Sequence, residues 1–354
     1  MGYTPYKDLP GSCFWKTAHV AENVFEIDPV VEGLFKISPA DKIATAGSCF
    51  AQHIANHLQA SGFRYFVTEA AHPILDANVA REFNYGVFSA RYGNVYTAAQ
   101  LRQLFDRAFG RFQPADEMWT SADGQFRDPF RPAIQPGGFS SIEEFRRDRQ
   151  QHFAAVRRIF LESDVFVFTL GLTECWRSSV DGAAYPLCPG VSAGVFDPAR
   201  HGFVNYSVAE IIADMSYVIG ETRKLNAAMK FILTVSPVPL VATAERRSVI
   251  QSTVLSKSVL RVAADTLSRM FPDVAYFPSY EIITMPAARG RYFGPDCRVV
   301  TPRGVKHVMN LFLKHYTAET AAGAAPDAGP ALDLDAVEAQ LAAICDETLI
   351  EAAR

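Results

Sequence analysis

Two neighbouring side chains, Ser48 and Cys49, have the chemistry of nucleophiles and stand at a predicted strand-to-helix turn. The apolar run 42–46 stops at Gly47, and a helical pattern of apolar residues begins at Phe50. Such a turn lifts a reactive atom clear of the sheet. The first N–H groups of the helix then point at it, which stabilises an oxyanion and lowers the pKa of a thiol. The alternative is a turn selected for packing, with Cys49 as a small buried apolar side chain.

A thiol or hydroxyl nucleophile needs a proton acceptor, and the chain offers several. His53 follows Cys49 by four residues, so both side chains lie on one helical face. His307 is the competing candidate, near the second turn of a helix that Thr301 is expected to cap. Glu174 follows an apolar strand, and burial would raise its pKa towards that of a general acid or base. The sequence predicts no metal site, because the residues between His53 and His57 lack the Glu of a zincin helix.

The amino-acid composition and net charge limit the classes of function that we expect for the protein. The chain has 354 residues, 49% of them apolar and 20% charged, with a formal net charge of −4. That balance gives no global attraction to nucleic acid or to an anionic membrane. Six cysteines occur without a Cys-x-x-Cys pair, and neither a secretory signal nor a membrane span is predicted. We therefore expect a cytoplasmic protein with reduced thiols, no nucleic-acid partner and no membrane span.

The elements that must position these residues alternate along the chain. Short apolar runs predict strands, and amphipathic stretches between them predict helices. This alternation predicts a three-layer α/β/α fold with a mainly parallel central sheet and long loop insertions at 110–140 and 177–206. Strands are predicted at 43–46, 65–68, 165–170, 231–235 and 274–277, and helices at 98–109, 142–161, 208–224, 249–270 and 303–316.

Four segments are expected in the domain organisation. Residues 1–40 form an extension that packs on the core, and residues 41–318 form the catalytic domain. Residues 319–332 are rich in Ala, Gly and Pro and predict a linker. Residues 333–354 predict a C-terminal helix that could pack on the body or on a second copy of the chain.

Several motifs in one order resemble the GSCFA family, a branch of the SGNH/GDSL hydrolase superfamily named for the pentapeptide at 47–51. The resemblance covers roughly residues 40–316. The motifs are FSARYGNVYT at 88–97, FTLGLTE at 168–174, TVSPVPL at 234–240, SKSVLR at 256–261 and YFPSYE at 276–281.

The resemblance implies an SGNH-hydrolase-like, flavodoxin-like fold and acyl-ester chemistry. In its register Cys49 falls on the nucleophile, and Ser48 remains an alternative nucleophile or an oxyanion donor. The implied oxyanion and substrate-binding residues are Gly47, Gly93, Asn94, Gly171 and Thr173. Arg91 is added to them as a cation that could bind an anionic group of the substrate.

Three departures from the superfamily pattern stand out, and the first is Cys49 at the position of the superfamily's Ser nucleophile. The Gly-x-Asn-Asp loop has Thr173 and Glu174 in place of Asn and Asp. The Asp-x-x-His motif has Asp296 but ends at Val299, so the implied orienting carboxylate has no histidine at the expected position.

The sequence thus predicts an esterase or O-acyltransferase acting on an acylated carbohydrate or polysaccharide precursor. A small-molecule or glycan substrate is expected, with no required cofactor and with coenzyme A as a possible acyl donor. The alternative is a non-catalytic SGNH scaffold that binds a glycan or a protein and has lost its histidine at 299.

Overall fold

The protein is described by a computed structural model that covers residues 4–18, 23–30, 33–317 and 349–350. The strands are β1 (Ile43–Gly47), β2 (Trp119–Thr120), β3 (Phe126–Arg127), β4 (Val165–Leu170), β5 (Glu174–Ser178), β6 (Ala184–Tyr185), β7 (His201–Asn205), β8 (Lys230–Val235) and β9 (Val274–Phe277). The helices are α1 (Trp15–Ala18), α2 (Phe50–Ala60), α3 (Ala77–Glu82), α4 (Ala98–Ala108), α5 (Ile142–Glu162), α6 (Val208–Leu225), α7 (Val249–Met270), α8 (Ser279–Thr284) and α9 (Pro302–Tyr316).

A parallel sheet with the spatial order β1-β4-β8-β9 forms the middle layer. Its strands are apolar on both faces because helices cover both. In β4, Phe166 and Phe168 pack into the core under α4, α5, α6 and α7, whereas Val165 and Val167 pack into the core under α2, α8 and α9. The three-layer α/β/α fold expected from the sequence is confirmed.

The order in which strands are added to the sheet reverses at β1, and this reversal indicates where a ligand would bind. From β1 the chain passes through α2 to a parallel bridge between Ile43 and Tyr65 on one side of the strand. It later adds β4, β8 and β9 on the other side. Open parallel sheets bind ligands beyond the carboxyl end of the strand where the order reverses. In this chain that end is Gly47.

The predicted strand at 65–68 is reduced to that single bridge. The Phe66 N–H donates to the Ile43 carbonyl at 2.7 Å, but the Thr68 N–H already donates to the Ser89 carbonyl. The segment therefore leaves the sheet after one pairing, since its next backbone partner lies in another loop.

Small antiparallel sheets fill the two long insertions. The segment 110–140 contains the β2–β3 hairpin, and the second insertion carries most of a three-stranded sheet of order β6-β5-β7. Because β5 starts at Glu174, the predicted loop at 171–174 is only a short link between two strands.

Of the N-terminal extension, the segment 23–30 packs on the α9 face of the sheet, where Ile27 and Val30 are buried, whereas residues 4–17 are exposed. The predicted linker at 319–332, and all of the predicted terminal helix except residues 349 and 350, lie outside the described residues. No helix within the described ranges combines the length and apolar character needed to cross a bilayer.

Candidate active site

Gly47 makes the turn between β1 and α2 possible. Its φ of 140° lies in a region that essentially only glycine adopts. A Cβ at this position would stand 2.4 Å from the Thr169 carbonyl oxygen on the adjacent strand. The Ser48 N–H donates to that same carbonyl at 3.3 Å, so the turn is fixed against β4.

Cys49 stands at the N-terminal end of α2, as the sequence predicts. The Ala51 N–H donates to the Ser48 carbonyl at 2.8 Å, and the Gln52 N–H donates to the Cys49 carbonyl at 3.1 Å. These two bonds tighten the first turn of α2, and the positive end of the helix dipole lies at the same place. The half-buried thiol of Cys49 is thus presented at an electropositive position.

Two further loops meet this turn. The Val95 N–H donates to the Gly47 carbonyl at 2.8 Å, which places Gly93 and Asn94 in the adjoining loop. A Cβ at Gly171 would lie 3.0 Å from the Ser48 Cβ, so the loop after β4 passes directly against the turn. The fold therefore brings together the loops of the predicted oxyanion residues, although Gly93 and Gly171 lie 46 and 124 positions after Gly47 in the sequence.

The hydroxyls of Ser48 and Thr173 are buried, and neither has a hydrogen-bond partner among the described residues. A buried hydroxyl without a partner is costly, and such groups concentrate where a site must receive a ligand. Both hydroxyls are donors at the carboxyl edge of the sheet, where an oxyanion would be held.

Ser256 and Lys257 support the loop after β4, a role that the sequence did not predict for them. The Ser256 hydroxyl accepts a hydrogen bond from the Thr173 N–H at 3.1 Å, and the Lys257 Nζ donates to the Gly171 carbonyl at 2.7 Å. Both side chains are 1% exposed. The SKS segment at 256–258 was the available signal, but its spacing alone does not reveal which loop it supports.

His53 lies one turn after Cys49, and its ring packs edge-on against Phe50 with 5.4 Å between centroids. Its Nδ1 is buried and has no hydrogen-bond partner in the described part of the chain. Burial, with a smaller effect of nearby His57, lowers the pKa of His53 to about 3. The imidazole is therefore neutral at physiological pH, and the same burial makes it a weaker proton acceptor than a solvated imidazole.

The structure does not support His307 as the base. Its Nδ1 is hydrogen-bonded to the Tyr292 hydroxyl at 2.7 Å, and its Nε2 to the Ile27 carbonyl at 3.0 Å. Both ring nitrogens are occupied under α9, where His307 ties the N-terminal extension to the core. Burial lowers its pKa as well.

Asp296 does not orient a histidine. The exposed Asp296 carboxylate accepts from the N–H groups of Arg298 at 3.0 Å and Val299 at 3.1 Å, and so closes its own loop. The loop nevertheless lies at the expected edge of the sheet, because the Arg298 Nε donates to the Pro239 carbonyl beyond β8 at 3.2 Å.

A family model described as the GSCFA family matches residues 42–312. The chain belongs to the GSCFA family. The match runs from the residue before β1 into α9, and so contains every loop that meets at Gly47. A search of curated proteins finds no significant match to this GSCFA protein.

Two other candidate residues of this GSCFA protein differ in outcome, since Glu174 has the buried environment predicted for it and Arg91 does not have the predicted role. Burial raises the pKa of Glu174, as expected, while a hydrogen bond from Thr243 at 2.9 Å opposes the shift. Arg91 is 1% exposed and donates to Asp148 at 2.6 Å and to the Phe83 carbonyl at 2.9 Å. It therefore belongs to an internal ion network and has no donor to offer an incoming substrate, which corrects its predicted role.

This GSCFA chain also contains a histidine–carboxylate pair that the sequence did not predict. The His152 Nδ1 is hydrogen-bonded to the Glu69 carboxylate at 2.8 Å, and both side chains are at least 98% buried. No sequence signal connects a loop glutamate to a histidine 83 positions later in the middle of α5. Among the described residues, no group of three or more His, Cys, Asp or Glu could hold a metal ion.

Replacing Gly47 with alanine is expected to lower the free energy of unfolding by about 3 kcal/mol or more, because backbone strain adds to the clash with Thr169. Chemical denaturation of the GSCFA protein measures this loss. Gly62→Ala is the matched control, since Gly62 has a φ of 77° but open space around it. Its loss should be only about 1–2 kcal/mol. Equal losses at the two glycines would show that contact with β4 does not define the turn.

Proposed function

We propose that this GSCFA protein is an acyl-ester enzyme, an esterase or O-acyltransferase, that acts on an acylated carbohydrate or polysaccharide precursor. One observation carries the proposal: Cys49 stands at the N-terminal end of α2, in a turn that packs against the loop after β4. Ser48 in this turn and Thr173 in that loop have buried hydroxyls that lack hydrogen-bond partners among the described residues. A nucleophile next to preorganised donors is the arrangement that acyl transfer requires.

In the proposed reaction the Cys49 sulfur forms a bond to the acyl carbonyl carbon while its proton passes to the Nδ1 of His53. The carbonyl oxygen becomes an oxyanion, stabilised by the positive end of the α2 dipole and held by the Thr173 and Ser48 hydroxyls. When the oxyanion collapses, the carbon–oxygen bond to the sugar breaks and the departing alkoxide takes the proton from His53. Burial disfavours the charged imidazolium, so His53 returns this proton readily.

The product of this first half is a thioester on Cys49. Attack by water gives hydrolysis, and attack by a sugar hydroxyl gives transfer of the acyl group. Coenzyme A thioesters are proposed as acyl donors for the second route, because thiol exchange with Cys49 conserves the thioester bond. The side-chain amide of Asn94, in the loop bonded to Gly47, is proposed as a further contact to the substrate.

A second function, binding without catalysis, is favoured by one specific observation. Asp296 caps its own loop and Val299 occupies the position of the superfamily histidine, so the usual orienting pair is lost. Within the described residues, no carboxylate is hydrogen-bonded to the His53 ring. On this view the same edge of the sheet recognises an acylated glycan or a protein partner.

Covalent labelling separates the two functions. An acyl-thioester probe should acylate wild-type protein at residue 49, and Cys49→Ala should abolish the adduct in intact-mass measurements. Cys297→Ala is the matched control, because Cys297 is an exposed thiol in the 296–299 loop and its loss should leave labelling unchanged. Equal labelling of wild type and Cys49→Ala would refute the catalytic proposal and leave the binding function.

A further inference from the structure

The oxyanion loop, residues 89–95, covers the free edge of β1. The Tyr92 hydroxyl donates to the Thr45 carbonyl, and the Val95 N–H donates to the Gly47 carbonyl at 2.8 Å. Backbone groups on an uncovered strand edge would lack such partners. The oxyanion loop therefore takes the place of a neighbouring strand, and its last residue is bonded to the nucleophile turn.

Two charged side chains hold the middle of the oxyanion loop by its backbone. The Glu69 carboxylate accepts from the Arg91 N–H at 2.7 Å, and the Arg131 Nη1 donates to the Arg91 carbonyl at 3.2 Å. Neither the Glu69 nor the Arg131 side chain is more than 2% exposed. Hydrogen bonds to ionised groups are stronger than those between neutral groups. Arg91 is therefore a fixed point of the loop backbone.

The Glu69 carboxylate is itself held in place. Its Oε2 atom, which accepts from the Arg91 N–H, is also hydrogen-bonded to the His152 Nδ1 at 2.8 Å. Burial opposes the ionisation of this carboxylate, but His152 and Arg131 lower its pKa to about 2. Glu69 is therefore charged at neutral pH, and bonds from the oxyanion loop and from α5 set its orientation.

We propose that Glu69 is a positioning residue of the candidate active site. The oxyanion loop has two fixed points, since Glu69 holds Arg91 and the nucleophile turn holds Val95. The predicted oxyanion residues, Gly93 and Asn94, lie between these points. Catalytic donors must stay within about 0.5 Å of their productive geometry, which requires rigid support. Burying a charge is costly, and here the charge is directed at a backbone N–H of the oxyanion loop.

This inference deepens the proposed function, and its expected effect on turnover rests on acyl-ester chemistry at Cys49. The position of the oxyanion loop does not rest on that chemistry, because it is a property of the protein without substrate. The two can therefore be measured separately.

Asp148→Ala is the matched control for Glu69→Ala. Asp148 belongs to the same ion network, because it accepts from the Arg91 Nη1 at 2.6 Å and from Arg131. Within the described residues, the hydrogen bonds of its carboxylate come from guanidinium groups and not from the loop backbone. Its loss therefore weakens the network while the bond from the Arg91 N–H to Glu69 remains.

Hydrogen–deuterium exchange of the Val95 N–H, measured by NMR, tests the inference without substrate. Glu69→Ala should speed this exchange at least about tenfold, the factor expected for loss of a hydrogen bond to a charged group. Asp148→Ala should leave the rate unchanged relative to the N–H groups of β8, which serve as the reference for global stability. Unchanged Val95 exchange in Glu69→Ala, or equal acceleration in the two variants, would overturn the inference.

Turnover kinetics test the effect on chemistry. Glu69→Ala should lower kcat for an acylated sugar at least about tenfold with little change in KM, whereas Asp148→Ala should keep the wild-type kcat. Glu69→Gln should recover part of the loss, because its amide oxygen can still accept from the Arg91 N–H. Full kcat in Glu69→Ala, or no recovery in Glu69→Gln, would contradict the positioning role.

Two further outcomes are distinguishable. Should Glu69→Ala fail to fold, Glu69→Gln removes only the charge and should still speed Val95 exchange about threefold or more. An unchanged rate in Glu69→Gln would then overturn the inference. Faster Val95 exchange in these variants, together with no labelling of Cys49, would reject the catalytic function and retain Glu69 as the support of the oxyanion loop.

Discussion

Replacing Cys49 with alanine is expected to lower the rate of acyl-ester turnover by about a thousandfold or more, because loss of the nucleophile removes the covalent route. The measurement is kcat for an acylated sugar or an acyl-thioester substrate. KM should change much less than kcat, since the oxyanion donors and the substrate-binding loops remain in place. The kcat that remains in Cys49→Ala would measure how much the oxyanion donors and substrate positioning contribute to the rate in the absence of the thiol.

Two further variants distinguish the loss of the nucleophile from a general effect of replacing a cysteine. Cys49→Ser keeps a weaker nucleophile and should retain more activity than Cys49→Ala, whereas Cys297→Ala should match wild type.

His53 remains neutral down to about pH 3, because burial lowers its pKa. The protonation of His53 therefore cannot produce a loss of activity between pH 7 and pH 5. An acidic limb centred at pH 6–7, or full activity in Cys49→Ala, would contradict the proposed pairing of this thiol with His53.

Replacing Asp128 with alanine is expected to lower the free energy of unfolding by about 3–5 kcal/mol, the usual cost of removing one partner from a buried ion pair. Its carboxylate lies among Arg131 at 2.9 Å, Arg149 at 3.5 Å and Arg107 at 3.9 Å. Without it these cations repel one another in a region that water does not reach. Urea denaturation at neutral pH measures the loss.

Exposed charges provide the control for this loss. Glu143 pairs with Arg147 on the surface of α5, and both side chains are 79% exposed. Glu143→Ala should therefore change stability very little, because solvent screens the pair. A similar small loss in Asp128→Ala would show that the internal network does not stabilise the fold.

The same network predicts the response to acid. Burial alone would raise the pKa of Asp128, but Arg149, Arg131 and Arg107 hold it well below its usual value. For Glu69 burial is likewise opposed, mainly by His152 and Arg131, and its pKa falls to about 2. Depressed carboxylate pKa values contribute stability above the unfolded pKa, near 4, and lose it as the pH falls towards 2. Asp128→Ala should accordingly flatten the decline in stability over this range.

The amino-acid sequence by itself determined the central sheet and the helices that cover it. Apolar runs at 43–46, 165–170, 231–235 and 274–277 lie within one residue of the strand ends observed, because burial on both faces of a parallel sheet leaves a continuous apolar signal. The predicted ends of α4, α5, α6, α7 and α9 likewise agree to within one residue. The short run at 65–68 gave the same signal, yet backbone partners outside the sheet limited it to one bridge.

The position of the nucleophile turn was also predictable, since Gly47 marks a strand end and the helical period starts at Phe50. The partners of the other candidates were decided by the tertiary structure. His307 faces Tyr292 and Ile27, and Arg91 faces Asp148, because packing brings distant segments against these side chains. Periodicity tells which face of a helix is buried, but not which atoms lie opposite it.

The burial of Arg107 depends on tertiary structure for the same reason. In the sequence Arg107 is one more basic residue near the end of an amphipathic helix, where solvent exposure is the usual outcome. Its burial under Phe130 and its ion pair with Asp128 at 3.9 Å arise from contacts between α4 and the first insertion. Local sequence thus determines which elements form and where the reactive turn lies. The tertiary structure decides which charged groups are paired, because pairing depends on distances between segments remote in the chain.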